Sequence, residues 1–335
     1  MTPEELKQTL DGLKARFTDD KEHNLQILRD FCATLSDSPQ DMAALTAIAH
    51  FAAAEYPDAD IQSLTEKLTQ AITEFHEKLA QAQTLAKARD FEAAAVLFAE
   101  IVGDMVPKDD PNQRRLAFSH PFEEMLFRAQ DKDPRPIVRV SNLSQIIFYQ
   151  YGTILIELQR LDDARTAFNH CLILNPIDVR AMFELGEIAK LEQNFDTLRA
   201  LMLKAYPLIF TRHMLARYYR NQAFLANFEA KFPLAVAMVY VSLDYEESPL
   251  ARAQLNALAK IKGVNLTRPK TDDVKALIQG TDIHLGPSEA VYNLALSIAQ
   301  STRKQHPQIA KMALSIAYDV THYQPLLKEI AQLGG

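Results

Sequence analysis

The chain has 335 residues, is 48% hydrophobic and 24% charged, and carries a formal net charge of −7. This is the composition of an ordinary soluble globular chain with room for a large core. No apolar run reaches the ~18 residues that span a bilayer, and the basic excess of a general nucleic-acid binder is missing. With 9 glycines, no tryptophan and abundant Ala, Leu, Glu and Gln, helix is favoured throughout.

Acidity is concentrated at the start: residues 1–68 hold 13 acids against 6 bases, and the rest of the chain holds 30 of each. This region reads as three helices. Asp37 or Ser38 with Pro39 supplies one stop and restart, and "YPDADIQ" at 56–62 another. It either caps the helices that follow or forms a separate acidic helical module. Its opening, "MTPEELKQTLDGLKARF", is charged and amphipathic, without the basic-then-apolar pattern of a secretory signal. Cys32 and Cys171 are the only cysteines. Two thiols make neither a disulfide framework nor a zinc quartet and fit a reducing cytoplasm.

Residues 69–108 form a first helix pair, in which "QAQTLAKARDFEAAAVLFAEIV" places Ala82, Leu85, Ala94, Phe98 and Ile101 on facing sides. Residues 109–141 interrupt the pattern. Pro121 after "SH", with Glu123 and Glu124 near the positive helix end, predicts a short helix presenting Phe122, Met125, Leu126 and Phe127. "DPRPIVRV" must then be extended, because each proline disfavours helix for the residue before it. This insertion either packs along the helices, narrowing the surface they enclose, or is a plain packed connector.

Two helix pairs follow, at 145–178 and 179–212. Phe148, Tyr151, Gly152 and Leu155 share one face of a helix, and 34 residues later Met182, Leu185, Gly186 and Ala189 repeat the face. The polar turns "QRLDD" and "EQNFD" lead into second helices bearing Ala164, Phe168 and Cys171, or Leu198, Met202 and Ala205. Asn175 and Pro176 end the first pair. At 216–249 the order returns as Tyr219, Ala223, Ala226, Ala235, Val239 and Ser242, displaced by three residues. In "KGVNLTRPKTDDVKALIQGTDIHLGPSEAV", "TDD" and "GPSEA" look like helix caps and "NLTRP" and "DIHL" like extended connectors. A last pair at 291–324 carries Leu294, Ile298, Ala310, Leu314 and Ala317, within a C-terminal helical cap at 263–335.

Paired helices at a 34-residue period, with a small residue where they meet and a bulky one opposite, resemble the tetratricopeptide repeat. The resemblance is clear at 145–212 and weaker at 75–108, 216–249 and 291–324. It implies an all-α, right-handed solenoid of antiparallel helix pairs, stacked because no single repeat buries both faces. It also explains Gly152: in that family the glycine lies where the helices of a repeat cross most closely. That contact offsets the ~1 kcal/mol which glycine costs in a helix interior.

The family lines its concave groove with the first helix of each repeat. Carried over, the groove positions are Ile146, Tyr149, Thr153 and Ile156, then Arg180, Phe183, Glu187 and Lys190, then Arg217, Arg220, Phe224 and Asn227. Residues 179–232 hold eight bases against five acids. Arginine among aromatics suits an extended peptide with carboxylates or backbone carbonyls, with Tyr149, Phe183 and Phe224 packing apolar anchors. The alternative is a solvated polar face salt-bridged to Glu184 and Glu187. The family's lysine–asparagine clamp for a C-terminal carboxylate is absent, since its sites hold Tyr149 and Thr153, then Phe183 and Glu187.

Catalytic signals are missing. There is no glycine-rich phosphate loop, His-Glu-x-x-His, Cys-x-x-Cys or calcium loop, and the nine histidines are scattered. Cys171 beside His170 reads as a core residue, because adjacent helix residues point different ways. Ser119 and His120 lack a glycine elbow and a placed acid. Asp162–Asp163 and Asp272–Asp273 serve helix starts. The expectation is a non-catalytic cytoplasmic scaffold that binds a protein or peptide and needs no cofactor, metal, nucleic acid or membrane. Its rival is a peptide-sensing regulator of the kind some bacterial repeat proteins provide, with residues 1–68 as effector module.

Overall fold

The computed structural model describes residues 3–32, 47–52, 54–56, 61–103, 105–107, 110–261 and 263–333. The stop expected at Asp37–Pro39, and most of that at 56–62, lies outside them. The chain divides into two compact units. One comprises Met1–Ser119 and Pro134–Asn175, the other His120–Asp133 and Pro176–Gly335. Consecutive helices pack on one another, and among the described residues the only strands are two three-residue segments. The chain is all-α, as its composition predicts.

In the first unit, α1 (Pro3–Lys14), α2 (Lys21–Cys32) and a helical stretch at 47–52 enclose a small core of Leu13, Leu25, Ile27, Leu28, Cys32, Ile48 and Ala52. Buried Asn24 ties it together. Its Oδ1 accepts from Thr18 N at 2.8 Å, while Nδ2 donates to Thr18 O at 2.7 Å and to the Tyr56 hydroxyl at 3.0 Å. The helix α3 (Ile61–Lys87) continues through residue 68, where the charge pattern changes. It packs on α4 (Phe91–Gly103), α4 on α6 (Leu143–Glu157), and α6 on α7 (Leu161–Leu174).

The insertion contributes β1 (Arg114–Leu116) and β2 (Ile137–Arg139), paired in parallel with Arg115 opposite Val138. The "PIVRV" segment is therefore extended, as its prolines require. Ala117 N donates to Leu174 O at 2.8 Å, fastening the strands to the end of α7. Between them, α5 (Pro121–Gln130) starts at the expected proline and belongs to the second unit. There Phe122 is fully buried, its ring 5.5 Å from that of Phe210.

The second unit continues through α8 (Val179–Leu191), α9 (Phe195–Ala205), α10 (Arg212–Phe228), α11 (Phe232–Tyr245), α12 (Pro249–Ala259), α13 (Thr271–Ile278), α14 (Glu289–Thr302), α15 (Pro307–Thr321) and α16 (Pro325–Gln332). Side-chain caps begin several of them. Asp178 accepts from Arg180 N at 3.0 Å, Asn194 from Thr197 N at 3.1 Å, Thr211 from Met214 N at 3.2 Å and Ser248 from Leu250 N at 3.2 Å. Packing runs from α8 to α9 and α10, then from α10 to α11 and α12, and separately between α14 and α15.

Four helix pairs reverse through the same turn. Arg89, Gln159, Gln193 and Ala230 all adopt left-handed backbone, with φ of 63°, 60°, 58° and 56°. In each case the following N–H reaches back five residues. Asp90 bonds Leu85 O at 3.0 Å, Arg160 bonds Leu155 O at 2.9 Å, and Asn194 bonds Ala189 O and Lys231 bonds Ala226 O, both at 2.8 Å. This is a Schellman ending, which satisfies carbonyls that a helix otherwise leaves open. The 34-residue interval from Gln159 to Gln193 widens by three before Ala230, matching the displacement in the apolar pattern. The α14–α15 reversal, with Pro307 at the first turn of α15, has no left-handed residue.

Of the four glycines in described helices, Gly12 and Gly103 face open space, whereas close approach explains Gly152 and Gly186. A methyl placed on Gly152 would lie 2.7 Å from Phe168 Cζ and 2.9 Å from both Cε atoms. On Gly186 it would lie 3.0 Å from Leu198 Cδ1 and 3.6 Å from Met202 Cε. The alanines at related places are buried as well: Ala82, Ala94, Ala223, Ala235, Ala310 and Ala317.

Candidate functional site: a charged row on α8 and α10

The predicted groove residues fall in both units. In the first, the Tyr149 ring stands edge-on to Phe168 with centroids 5.6 Å apart, and Thr153 Oγ1 donates to Gln150 O at 2.7 Å. Ile146 and Ile156 are half-buried. These side chains are engaged locally and present one amphipathic helix face.

The second unit holds the denser arrangement. Helical spacing puts Arg180, Phe183, Glu184, Glu187 and Lys190 on one side of α8, and Arg217, Arg220, Asn221 and Phe224 on the facing side of α10. Arg180 bends back to its own helix cap, with Nε 3.2 Å from Asp178 Oδ1. Phe183 is buried rather than open, and the Arg217 guanidinium lies 5.2 Å above its ring centre. Arg217 NH1 donates to Glu184 Oε1 at 2.7 Å, and its NH2 lies 3.6 Å from Glu187 Oε1. Glu187 Oε1 also takes Lys190 Nζ at 2.8 Å. Lys190 donates again to Asn221 Oδ1 at 2.6 Å and sits 5.0 Å over the Phe224 ring. Arg217 and Lys190 are thus paired within the chain to Glu184 and Glu187.

One turn earlier on α10, Arg220 NH1 donates to Glu246 Oε2 at 3.3 Å, and Glu246 Oε1 lies 2.8 Å from His213 Nδ1. From α12, Gln254 Nε2 donates to the Arg220 carbonyl at 3.0 Å, while its Oε1 is buried without a partner. Asn227 Oδ1 is likewise buried and unsatisfied.

The row is poorly hydrated for its charge. Side-chain exposure is 14% at Lys190, 22% at Arg217, 12% at Glu184 and 10% at Arg220. Burial pulls the Lys190 pKa below the usual lysine range, with Glu187 opposing and Arg217 and Arg220 adding to the fall. Burial likewise lowers Arg220, against the pull of Glu246. Burial alone would raise Glu246, but His213 and Arg220 together hold it below the ordinary glutamate value. Sequence reading did not single out Asn221, Glu246 or Gln254. Asn221 could have been found four residues after Arg217, whereas Glu246 and Gln254 arrive from other elements and leave no local signal.

The weak catalytic candidates take structural roles. Cys171 Sγ, fully buried, lies 3.5 Å from Gln145 O, and the His170 ring packs on Phe148 with centroids 4.7 Å apart. Ser119 Oγ donates to Gln145 Oε1 at 3.4 Å, whereas His120 Nδ1 caps α5 by accepting from Phe122 N at 3.1 Å. Asp163 pairs with Arg160, and Asp273 accepts from Lys270 N. Cys32 is a buried free thiol whose pKa burial pushes up to about 11, which makes it a poor nucleophile. No group of three or more metal-ligating side chains occurs among the described residues.

The fold and site together define an all-α protein of consecutively packed helices. No helix among its described residues is long and apolar enough to cross a membrane. No protein-family model matches the chain, and no curated protein matches it either.

Proposed function

We propose that the chain is a right-handed, tetratricopeptide-like helical repeat protein of the cytoplasm that binds a protein or peptide and catalyses no reaction. Its binding surface in the second unit is the α8–α10 face around Arg217, Lys190 and Phe224. The observation that carries this reading is the charged row itself, two neighbouring ion-pair groups, Glu184–Arg217–Glu187–Lys190 and Arg220–Glu246, in which Lys190, Arg217, Glu184 and Arg220 are at most 22% exposed. Buried ion-pair networks rarely add net stability over apolar packing of the same volume, so stability alone is a weak reason to keep one. A preorganised row of this kind offers a partner fixed charges and an aromatic anchor. The anchor is the cluster of Phe224 with Phe195, centroids 6.0 Å apart, and Phe228, which is 58% exposed.

Affinity capture on the full chain from native extract, read by mass spectrometry, identifies the partner, which is then titrated against variants. Arg217→Ala with Arg220→Ala is expected to abolish binding while helicity by circular dichroism is retained. Glu184→Gln releases Arg217 without removing a cation and is expected to change affinity severalfold. A partner that binds the double variant and Glu184→Gln as tightly as the unaltered chain overturns the assignment to this face.

A further inference from the structure

A separate cavity of about 340 Å³ lies in the second unit beside α11. Its floor is one face of α11, and its walls come from the 268–274 segment, the connector at Leu285 and Gly286, and the end of α15 at Thr321 and His322. This volume is at the small end of the roughly 300–1,000 Å³ range of ligand pockets. Ala237, Val241, Pro269, Val274 and Leu285 supply apolar surface to a lining that also carries Tyr240, Tyr245, Thr271 and His322. At the mouth stands one ion pair, Arg268 with Asp244, the two side chains 57% and 51% exposed.

We propose that this cavity binds a free α-amino acid with a large apolar side chain, whose carboxylate and ammonium replace the Asp244–Arg268 pair. Two of the lining hydroxyls are already committed. Tyr240 donates to Leu266 O at 2.8 Å and offers its ring to the Arg268 guanidinium at 5.7 Å, and Thr321 Oγ1 donates to Ala317 O at 2.6 Å. The ion pair is the doubly charged handle of the site, with the His322 imidazole on the same lining. An exposed pair contributes little to stability, so opening it costs little provided both halves are re-paired. A simple anion would satisfy Arg268 and leave Asp244 facing a like charge, and a simple cation would do the reverse. An ammonium and a carboxylate on one carbon satisfy both at the spacing of a single ion pair. The side chain then packs against Ala237, Val241, Val274 and Leu285, where each buried methylene raises affinity about fourfold.

The inference does not depend on the peptide-binding face, which is centred on α8 and α10. Isothermal titration of the full chain with L-leucine and L-phenylalanine tests it. Saturable one-to-one binding is expected. 3-Phenylpropionate, which lacks the ammonium, and 2-phenylethylamine, which lacks the carboxylate, should each bind at least about tenfold more weakly than L-phenylalanine. Asp244→Asn and Arg268→Gln should each weaken the amino acid to a similar extent. Absence of saturable heat up to about 10 mM ligand, or equal binding of either analogue, overturns the proposal. So does unchanged affinity in both variants. Should a variant lose helicity, the analogue series on the unaltered chain decides.

Discussion

Gly152 and Gly186 occupy the same place in two successive helix pairs and have the same burial, yet they face different neighbours. Opposite Gly152 is the Phe168 ring, rigid and fully buried, with three atoms inside 3.0 Å of where a methyl would stand. Opposite Gly186 are the ends of Leu198 and Met202, which rotate. One repeat position is thus a steric requirement in the first pair and close to a preference in the second. Sequence periodicity identifies the position, and the residue across from it sets the cost of changing it.

The largest consequence is at Gly152. Replacement by alanine should destabilise the α6–α7 pair by about 1–3 kcal/mol, the usual cost of overpacking, after the helix-propensity gain is included. Urea unfolding with amide exchange in α6 and α7 measures it. In a Phe168→Leu background the same change should cost much less, and the coupling in that double-mutant cycle reports the ring contact directly. An equal cost in both backgrounds would assign the glycine to backbone conformation instead.

Next come the four left-handed turn residues. A side chain in that conformation costs roughly 1–2 kcal/mol, part of which glycine gives back through the entropy of its unfolded chain. Gln159→Gly and Gln193→Gly should therefore each stabilise their own helix pair by about 0.5–1 kcal/mol. These turns are equivalent where the glycines are not, so the two gains should agree. Unequal gains in amide exchange of α7 and α9 would show that the turns also carry different packing.

Gly186→Ala should be almost neutral, within about 0.5 kcal/mol, because the propensity gain offsets a 3.0 Å contact that a flexible leucine methyl can relieve. A loss as large as that at Gly152 would mean that α9 is held too firmly to give way.

The same distinction between position and neighbour separates what the sequence discloses from what it does not. Local periodicity locates the helix pairs, the turns after Leu158 and Leu191, the α5 start at Pro121 and the extended "PIVRV". It also places Cys171 in the core, and that residue is fully buried. It does not place Phe183, because a helix's own pattern marks the face toward its partner and is silent about what the next helix covers. Here α10 lays Arg217 over that ring. The parallel pairing of Arg114–Leu116 with Ile137–Arg139 spans an intervening helix and has no local signature. The cavity beside Asp244 and Arg268 is assembled from four stretches between residues 237 and 322. No window of sequence contains it.

The smallest effect again contrasts two like residues in unlike settings, His170 on α7 and His120 at the start of α5. Burial lowers both pKa values below that of a free imidazole. The unfolded chain, titrating near ~6.5, then holds more protons than the folded one below that pH. Stability is therefore fully present above it and declines as pH falls toward the depressed folded values. The mechanisms differ. Protonating His170 charges a ring packed on Phe148 whose Nδ1 is buried without a partner. Protonating His120 at Nδ1 removes the acceptor that caps α5. His120→Asn keeps a capping acceptor that does not titrate. It should flatten the pH dependence of α5 amide exchange between about pH 7.5 and about pH 5.5 while leaving that of α7 unchanged. If α5 still loosened in acid with asparagine at its cap, the dependence would belong to other carboxylates or imidazoles of the second unit, and the cap would be incidental.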